Sequence, residues 1–132
     1  MQLITKDTGY ALRILIHMAQ RRCRLLSVRE IARKVNIPYA FARRICQNLR
    51  KKNIISVQKG KGGGFMFCGR AKDVSVRDII LIFQQDIEFV DCFIRGHLCG
   101  KIKKCPLREK LKALEKEVSA KLAKITLKDL LR

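Results

Sequence analysis

The sequence predicts a mainly α-helical chain with one small β-hairpin and a long helix near its C-terminal end. Three observations predict it. Ser27–Leu49 holds two short amphipathic stretches separated by Asn36-Ile37-Pro38. Ile54–Phe67 holds two short apolar runs around the glycine-rich stretch Lys59-Gly60-Lys61-Gly62-Gly63-Gly64. Pro106–Ile125 carries Leu107, Leu111, Leu114, Val118, Leu122 and Ile125 at steps of three and four. The chain has 132 residues, of which 48% are hydrophobic, which suits one compact domain with a helical appendage.

The first helix is expected over Tyr10–Gln20, with Leu12, Leu15, Ile16 and Ala19 as its apolar row and His17 off that row. Ser27 and Glu30 form the pattern of a capping box, in which the serine oxygen accepts a backbone N–H and the carboxylate reaches back. Val28, Ile31, Ala32 and Val35 follow as one stripe. Pro38 suits the first position of the next helix, where its missing N–H costs nothing. In that helix Phe41, Ile45 and Leu49 are expected to face inward, leaving Tyr39, Ala40, Arg43, Arg44 and Gln47 on the other sides. Two short helices with such a turn make a helix-turn-helix, whose second helix suits the major groove. Arginine forks match the acceptors of guanine there.

Ile54–Val57 and Phe65–Phe67 read as strands of a hairpin, so the whole unit is a winged helix-turn-helix. Lys59 and Lys61 at the hairpin tip suit phosphates or the narrow minor groove. The glycines lie between two strands, whereas a nucleotide-binding phosphate loop needs them between a strand and a helix. Ser75 and Asp78 cap a further helix, with Ile79, Ile80, Ile82 and Phe83 buried. The Pro106–Ile125 helix should be roughly 30 Å long at ~1.5 Å per residue. Its leucine seam fits pairing with a second copy, and packing on its own head is the alternative. Thr126 and Asp129 cap a short last helix.

Lys and Arg number 30 against 11 Asp and Glu, a formal net charge of +19. Residues 1–64 carry 15 basic and 2 acidic side chains, a net of +13, so the excess sits mostly in one half. A surplus so placed implies a polyanionic partner, most simply double-stranded nucleic acid. An RNA-binding protein would carry more aromatic residues for stacking than the 6% present. No apolar run approaches the length of a membrane span and no signal-peptide pattern opens the chain, so the expected location is cytoplasmic, with no membrane partner.

Residues 92–105 read CFIRGHLCGKIKKC, which places three of the six cysteines in C-x6-C-x5-C spacing. Reduced thiols clustered this closely favour a metal or an iron–sulfur centre that borrows one ligand from elsewhere. Three small buried thiols that merely lie close together are the alternative. His97 is the nearest candidate for the remaining ligand, completing a Cys3His set if the metal is zinc. Cys23, Cys46 and Cys68 have no partners at ligand spacing and read as ordinary thiols.

The order of these elements resembles the Rrf-type regulators, the bacterial family of IscR, NsrR and CymR. Tyr10-Ala11-Leu12-Arg13, Leu49-Arg50-Lys51, the Lys59–Phe65 wing, and Cys92, Cys99 and Cys105 carry the resemblance, which covers nearly the whole chain. It implies a homodimeric transcription factor and no enzyme. In cluster-binding members the three cysteines hold a [2Fe–2S] or [4Fe–4S] centre, the first being favoured here, and cluster state alters DNA binding. A structural zinc site or a metal-free thiol sensor are the alternatives. The chain departs from the family pattern in several places. Arg108 stands where some members have a histidine ligand. The acid closest to the position of a partner-subunit carboxylate ligand is Asp7. The first cysteine gap is six residues where five is common. Lys59 replaces a wing arginine and Phe41 a recognition-helix tyrosine, shifting base reading toward Tyr39, Arg43 and Arg44. The expected division is a DNA-binding head over 1–84, a cluster loop over 85–105, and a dimerisation helix with the short last helix over 106–132.

Overall fold

A computed structural model describes residues 3–84, 87–89 and 105–131. Its helices are α1 (Lys6–Gln20), α2 (Val28–Val35), α3 (Tyr39–Lys51), α4 (Val76–Phe83), α5 (Pro106–Lys124) and α6 (Leu127–Leu130). The strands β1 (Ser56–Gln58) and β2 (Gly64–Met66) lie between α3 and α4 and pair antiparallel, with Val57 opposite Phe65. This is the mainly helical winged fold that the sequence predicts. Among the described residues, no helix is long and apolar enough to cross a membrane.

α1 begins four residues earlier than the periodicity indicates, because Thr5 supplies a cap: its side chain accepts the Thr8 amide. Its fully buried row is Ala11, Ile14, Leu15 and Met18, while Leu12, Ile16 and Ala19 are half-buried. The apolar arc of α1 is therefore wider than one row and centred to one side of the predicted one. His17 is half-buried, as its place off the row implied, and lies 3.0 Å from an Arg21 nitrogen. Burial, and then the charge of Arg21, lower its pKa from the ordinary value of 6.5.

α2 opens on Ser27, whose oxygen accepts the Glu30 amide at 3.2 Å; the return bond from the Glu30 carboxylate, expected for a full capping box, is not among the described hydrogen bonds. It closes on Asn36 in the left-handed conformation at φ 58°, which asparagine tolerates better than most side chains. The Arg13 guanidinium donates to the Val35 carbonyl at the negative end of α2, fixing the corner from the α1 side. Pro38 precedes α3 as its cap residue, one position earlier than expected. The buried row of α3 is Ala42, Ile45, Cys46 and Leu49, and Phe41 is half-buried at its edge. At 3.6 residues per turn, Phe41 lies one position off that row.

The wing is seated directly on the start of α2. Leu26 and Phe65 exchange both backbone hydrogen bonds at 2.8 Å, an isolated antiparallel bridge. Gly64 makes this approach feasible, because a Cβ there would collide with the Leu26 carbonyl oxygen. At the tip, Gly60 and Gly62 take φ of 103° and 78°, values open to glycine at little cost.

α4 has the predicted capping box, with both Ser75–Asp78 hydrogen bonds made. Val76, Ile79 and Ile80 are its buried residues; Ile82 and Phe83, expected to be buried, are half-buried. The α5 seam divides. Val118 and Leu122 pack with Val76, Ile80, Ile87 and Phe89, and Arg77 donates to Ser119 at 2.6 Å. Leu107 and Leu114 stay exposed at 65% and 46%. The two sets centre roughly 50° apart around the helix at 100° per residue. Packing on the head and an outward apolar edge are thus both present on α5. The chain then returns to the head: Ser75 bridges Thr126, and Leu127 is fully buried in the main core with α1 and α3 residues.

The wing seat predicts a contrast between two glycines. Gly64→Ala should lower unfolding free energy by about 2–3 kcal/mol in urea titrations, since backbone must shift. Gly9→Ala, with nothing within 4 Å of the added carbon, should be neutral or stabilise by up to about 1 kcal/mol.

Candidate nucleic-acid interface and cysteine segment

The buried row of α3 leaves a continuous outer face. Tyr39, Ala40, Arg43, Arg44 and Gln47 are all exposed on it, as the sequence pattern placed them. α2 adds a second basic edge that the sequence reading missed. Arg29 and Arg33 lie one helical turn apart, exposed, and line an open groove with Asn36 and Tyr39. Their signal was available: two arginines four apart on the polar side of a capped amphipathic helix. Arg50 and Lys51 line a further groove where α3 meets β1. Lys59 and Lys61 are exposed at the wing tip.

The base of α3 is organised by aromatic and charged contacts with α1. The Tyr10 and Phe41 rings are tilted at 55° with centroids 6.1 Å apart. Lys6 lies 5.3 Å from the Phe41 centroid and Arg44 4.9 Å from it, both within cation–π range. Arg44 also donates to the Asp7 carboxylate at 2.9 Å, in a pair whose side chains are 51% and 38% exposed. Two residues assigned separate roles by sequence thus meet: Asp7, a candidate metal ligand, holds Arg44, a candidate base reader. Arg43, next to it, points from the same exposed face with no such acidic contact among the described ion pairs.

Gln84 ends α4 and ties it to the beginning of α1. Its side-chain oxygen accepts the Thr5 amide at 3.0 Å and the Thr8 hydroxyl at 2.9 Å, and its nitrogen donates to the Leu3 carbonyl at 3.1 Å. Thr8 is completely buried, so its hydroxyl depends on such partners. Gln84 therefore joins the end of α4 to the start of α1 one residue before the expected cysteine loop.

Of the candidate ligands, Cys92, His97 and Cys99 lie outside the described residues. Cys105 is half-buried and stands at the N-terminal cap of α5. No cluster of three or more metal-capable side chains occurs among the described residues. Cys46 is wholly buried in the core, and burial pushes its thiol up to about 12. Cys23 and Cys68, which sequence alone kept apart, are both exposed and close enough in space for one thiol to perturb the other.

Helix-turn-helix, seated hairpin and basic outer face together define a winged helix-turn-helix protein of the DNA-binding class. The sequence profile of the Rrf2 family, described as iron-dependent transcriptional regulators, matches residues 4–132. The chain belongs to that family and is a transcriptional regulator, not an enzyme. It is 30% identical over 132 residues to an HTH-type transcriptional regulator of Aquifex aeolicus, covering 98% of this chain and 92% of the relative. It is likewise 30% identical over 129 residues to the HTH-type transcriptional repressor NsrR of Streptomyces coelicolor, covering 96% and 86% of the two chains. The crystal structure of a transcriptional regulator from Listeria innocua superposes with a TM-score of 0.80 at 25% identity, covering 96% of this chain and 84% of the other.

Proposed function

We propose that the chain is a homodimeric regulator whose affinity for double-stranded operator DNA is controlled by an iron–sulfur cluster held by Cys92, Cys99 and Cys105. The observation that carries this reading is the junction at Gln84. It connects the residues preceding the cysteine segment to the first turn of α1, and from that turn Asp7 holds Arg44 on the outer face of α3.

Three sulfur donors suit iron. The Cys105 thiol is half-buried, and its side chain makes no capping hydrogen bond at the α5 terminus. The fourth ligand is His97 or Asp7 of the partner subunit. When bound, such a cluster supplies an iron centre sensitive to redox state and nitric oxide. The chain's own residues do the rest. α3 enters the major groove with Tyr39, Ala40, Arg43, Arg44 and Gln47 toward the base edges, and Arg29, Arg33, Lys59 and Lys61 meet phosphates. Arg44 reads bases only when Asp7 releases it, since one guanidinium cannot serve both partners fully. Displacement of the first turn of α1 by the Gln84 junction would therefore be felt at Arg44. The exposed Leu107 and Leu114 edge of α5 supplies the apolar strip for a second copy.

Arg43→Ala should weaken binding to the preferred duplex by about 1–3 kcal/mol and relax its sequence preference. Lys59→Ala should weaken all duplexes evenly and reduce the salt dependence. Titration by fluorescence anisotropy at several salt concentrations separates the two, and unchanged preference in Arg43→Ala would remove α3 from the groove. Replacing Leu107 and Leu114 together by glutamate should give monomers in sedimentation velocity, whereas persistent dimers would place the interface elsewhere.

The cluster is tested by replacing each cysteine with alanine and measuring iron, sulfide and absorbance after anaerobic purification. Iron should be lost on changing Cys92, Cys99 or Cys105 and kept on changing Cys23, Cys46 or Cys68. Full iron in Cys92→Ala, or zinc as the sole metal, would contradict the proposal.

A further inference from the structure

The Cys23–Cys68 pair lies at the foot of the wing, and none of the proposed cluster chemistry uses it. Cys23 follows the last turn of α1 and Cys68 follows β2, 45 positions later in the sequence. The backbone brings them together. The Cys23 amide donates to the Phe67 carbonyl at 3.0 Å, extending the contact that Leu26 and Phe65 begin. Phe67 is 2% exposed, so its packing fixes where the next residue, Cys68, leaves the core. Cys23 itself is held at φ 59°, a left-handed conformation that costs a non-glycine residue of this shape strain. Both thiols are exposed, unlike Cys46 in the core.

We infer that Cys23 and Cys68 form an oxidant-reactive dithiol, closing to a disulfide that clamps the wing against the α1–α2 connection. The co-reactant is a hydroperoxide. The Cys23 thiolate attacks the peroxide oxygen; the O–O bond breaks, leaving a sulfenic acid and, after protonation, one water with hydrogen peroxide. The Cys68 sulfur then attacks the sulfenic sulfur. The S–S bond forms, the S–O bond breaks, and the departing hydroxide takes the Cys68 proton as a second water. Two thiols thus lose two electrons and two protons, and one peroxide becomes two waters.

The closeness of the two thiols supports their pairing. Interaction with Cys23 raises the pKa of Cys68 from its ordinary value, and the Arg22 charge acts in the opposite direction. The consequence for DNA rests on the regulator reading above. A wing clamped to its seat cannot adjust its lysine tip to the groove, so oxidation lowers duplex affinity.

The test treats the full-length chain with stoichiometric hydrogen peroxide and maps disulfides by mass spectrometry without reduction. The expected result is a linked Cys23–Cys68 peptide as the main disulfide, and a rise in melting temperature of at least about 5 °C. In Cys68→Ser the sulfenic acid on Cys23 should persist and be trapped by dimedone. Disulfides confined to other cysteines, or no trapped Cys23 in that variant, would overturn the assignment. Duplex affinity is measured in parallel, and should fall by at least about threefold on oxidation of the wild type but not of Cys68→Ser. Linked peptide with unchanged affinity would overturn the clamp. Duplex binding by the reduced protein reports separately on the regulator reading.

Discussion

One carboxamide holds the arrangement on which the rest depends. Gln84 satisfies Thr5, Thr8 and Leu3 at once, joining the end of α4 to the first turn of α1. Thr8 is fully buried, and leaving a buried hydroxyl short of partners costs about 1–3 kcal/mol. The Thr5 hydroxyl, 3.1 Å from that of Thr8, shares this role, and together with Gln84 it favours one seating of α1 against α4. The first turn of α1 also carries Lys6, Asp7 and Tyr10, which contact Phe41 and Arg44 of α3. The end of α4 is thus linked to the outer face of α3 by a chain of short, direct contacts.

The wing obeys a second constraint of the same kind. Paired backbone hydrogen bonds between Leu26 and Phe65 fix it to the residue before the α2 cap, and only glycine at position 64 permits the approach. Basic groups on α2, α3 and the base of the hairpin are therefore carried on one frame. The hydrophobic positions of α2 and α3 face inward, which leaves arginines and lysines as the outer layer.

What was legible in the sequence was local. Capping at Ser27 and Ser75, the Asn36 turn, and the glycine-rich tip are short-range chemistry, and each occurs where it was expected. The α3 outer face was legible because exposure follows helical period. Pairings between distant segments left no such trace. Asp7 with Arg44, Gln84 with Thr8, and Cys23 with Cys68 are separated by 37, 76 and 45 positions, and no periodicity encodes them. The seam of α5 misled in part for a related reason. A stripe of leucines shows that a helix has an apolar side, not which partner each leucine meets. Val118 and Leu122 found the head, while Leu107 and Leu114 did not.

The central claim is that the state of the cysteine segment reaches the DNA-facing helix through Gln84. It is tested most directly by measuring duplex affinity of iron-loaded and iron-free protein, for the wild type and for Gln84→Ala, with circular dichroism confirming the fold. The account predicts at least about a fivefold difference between the two wild-type forms, shrinking toward one in Gln84→Ala. A folded Gln84→Ala that keeps the full wild-type ratio would contradict it.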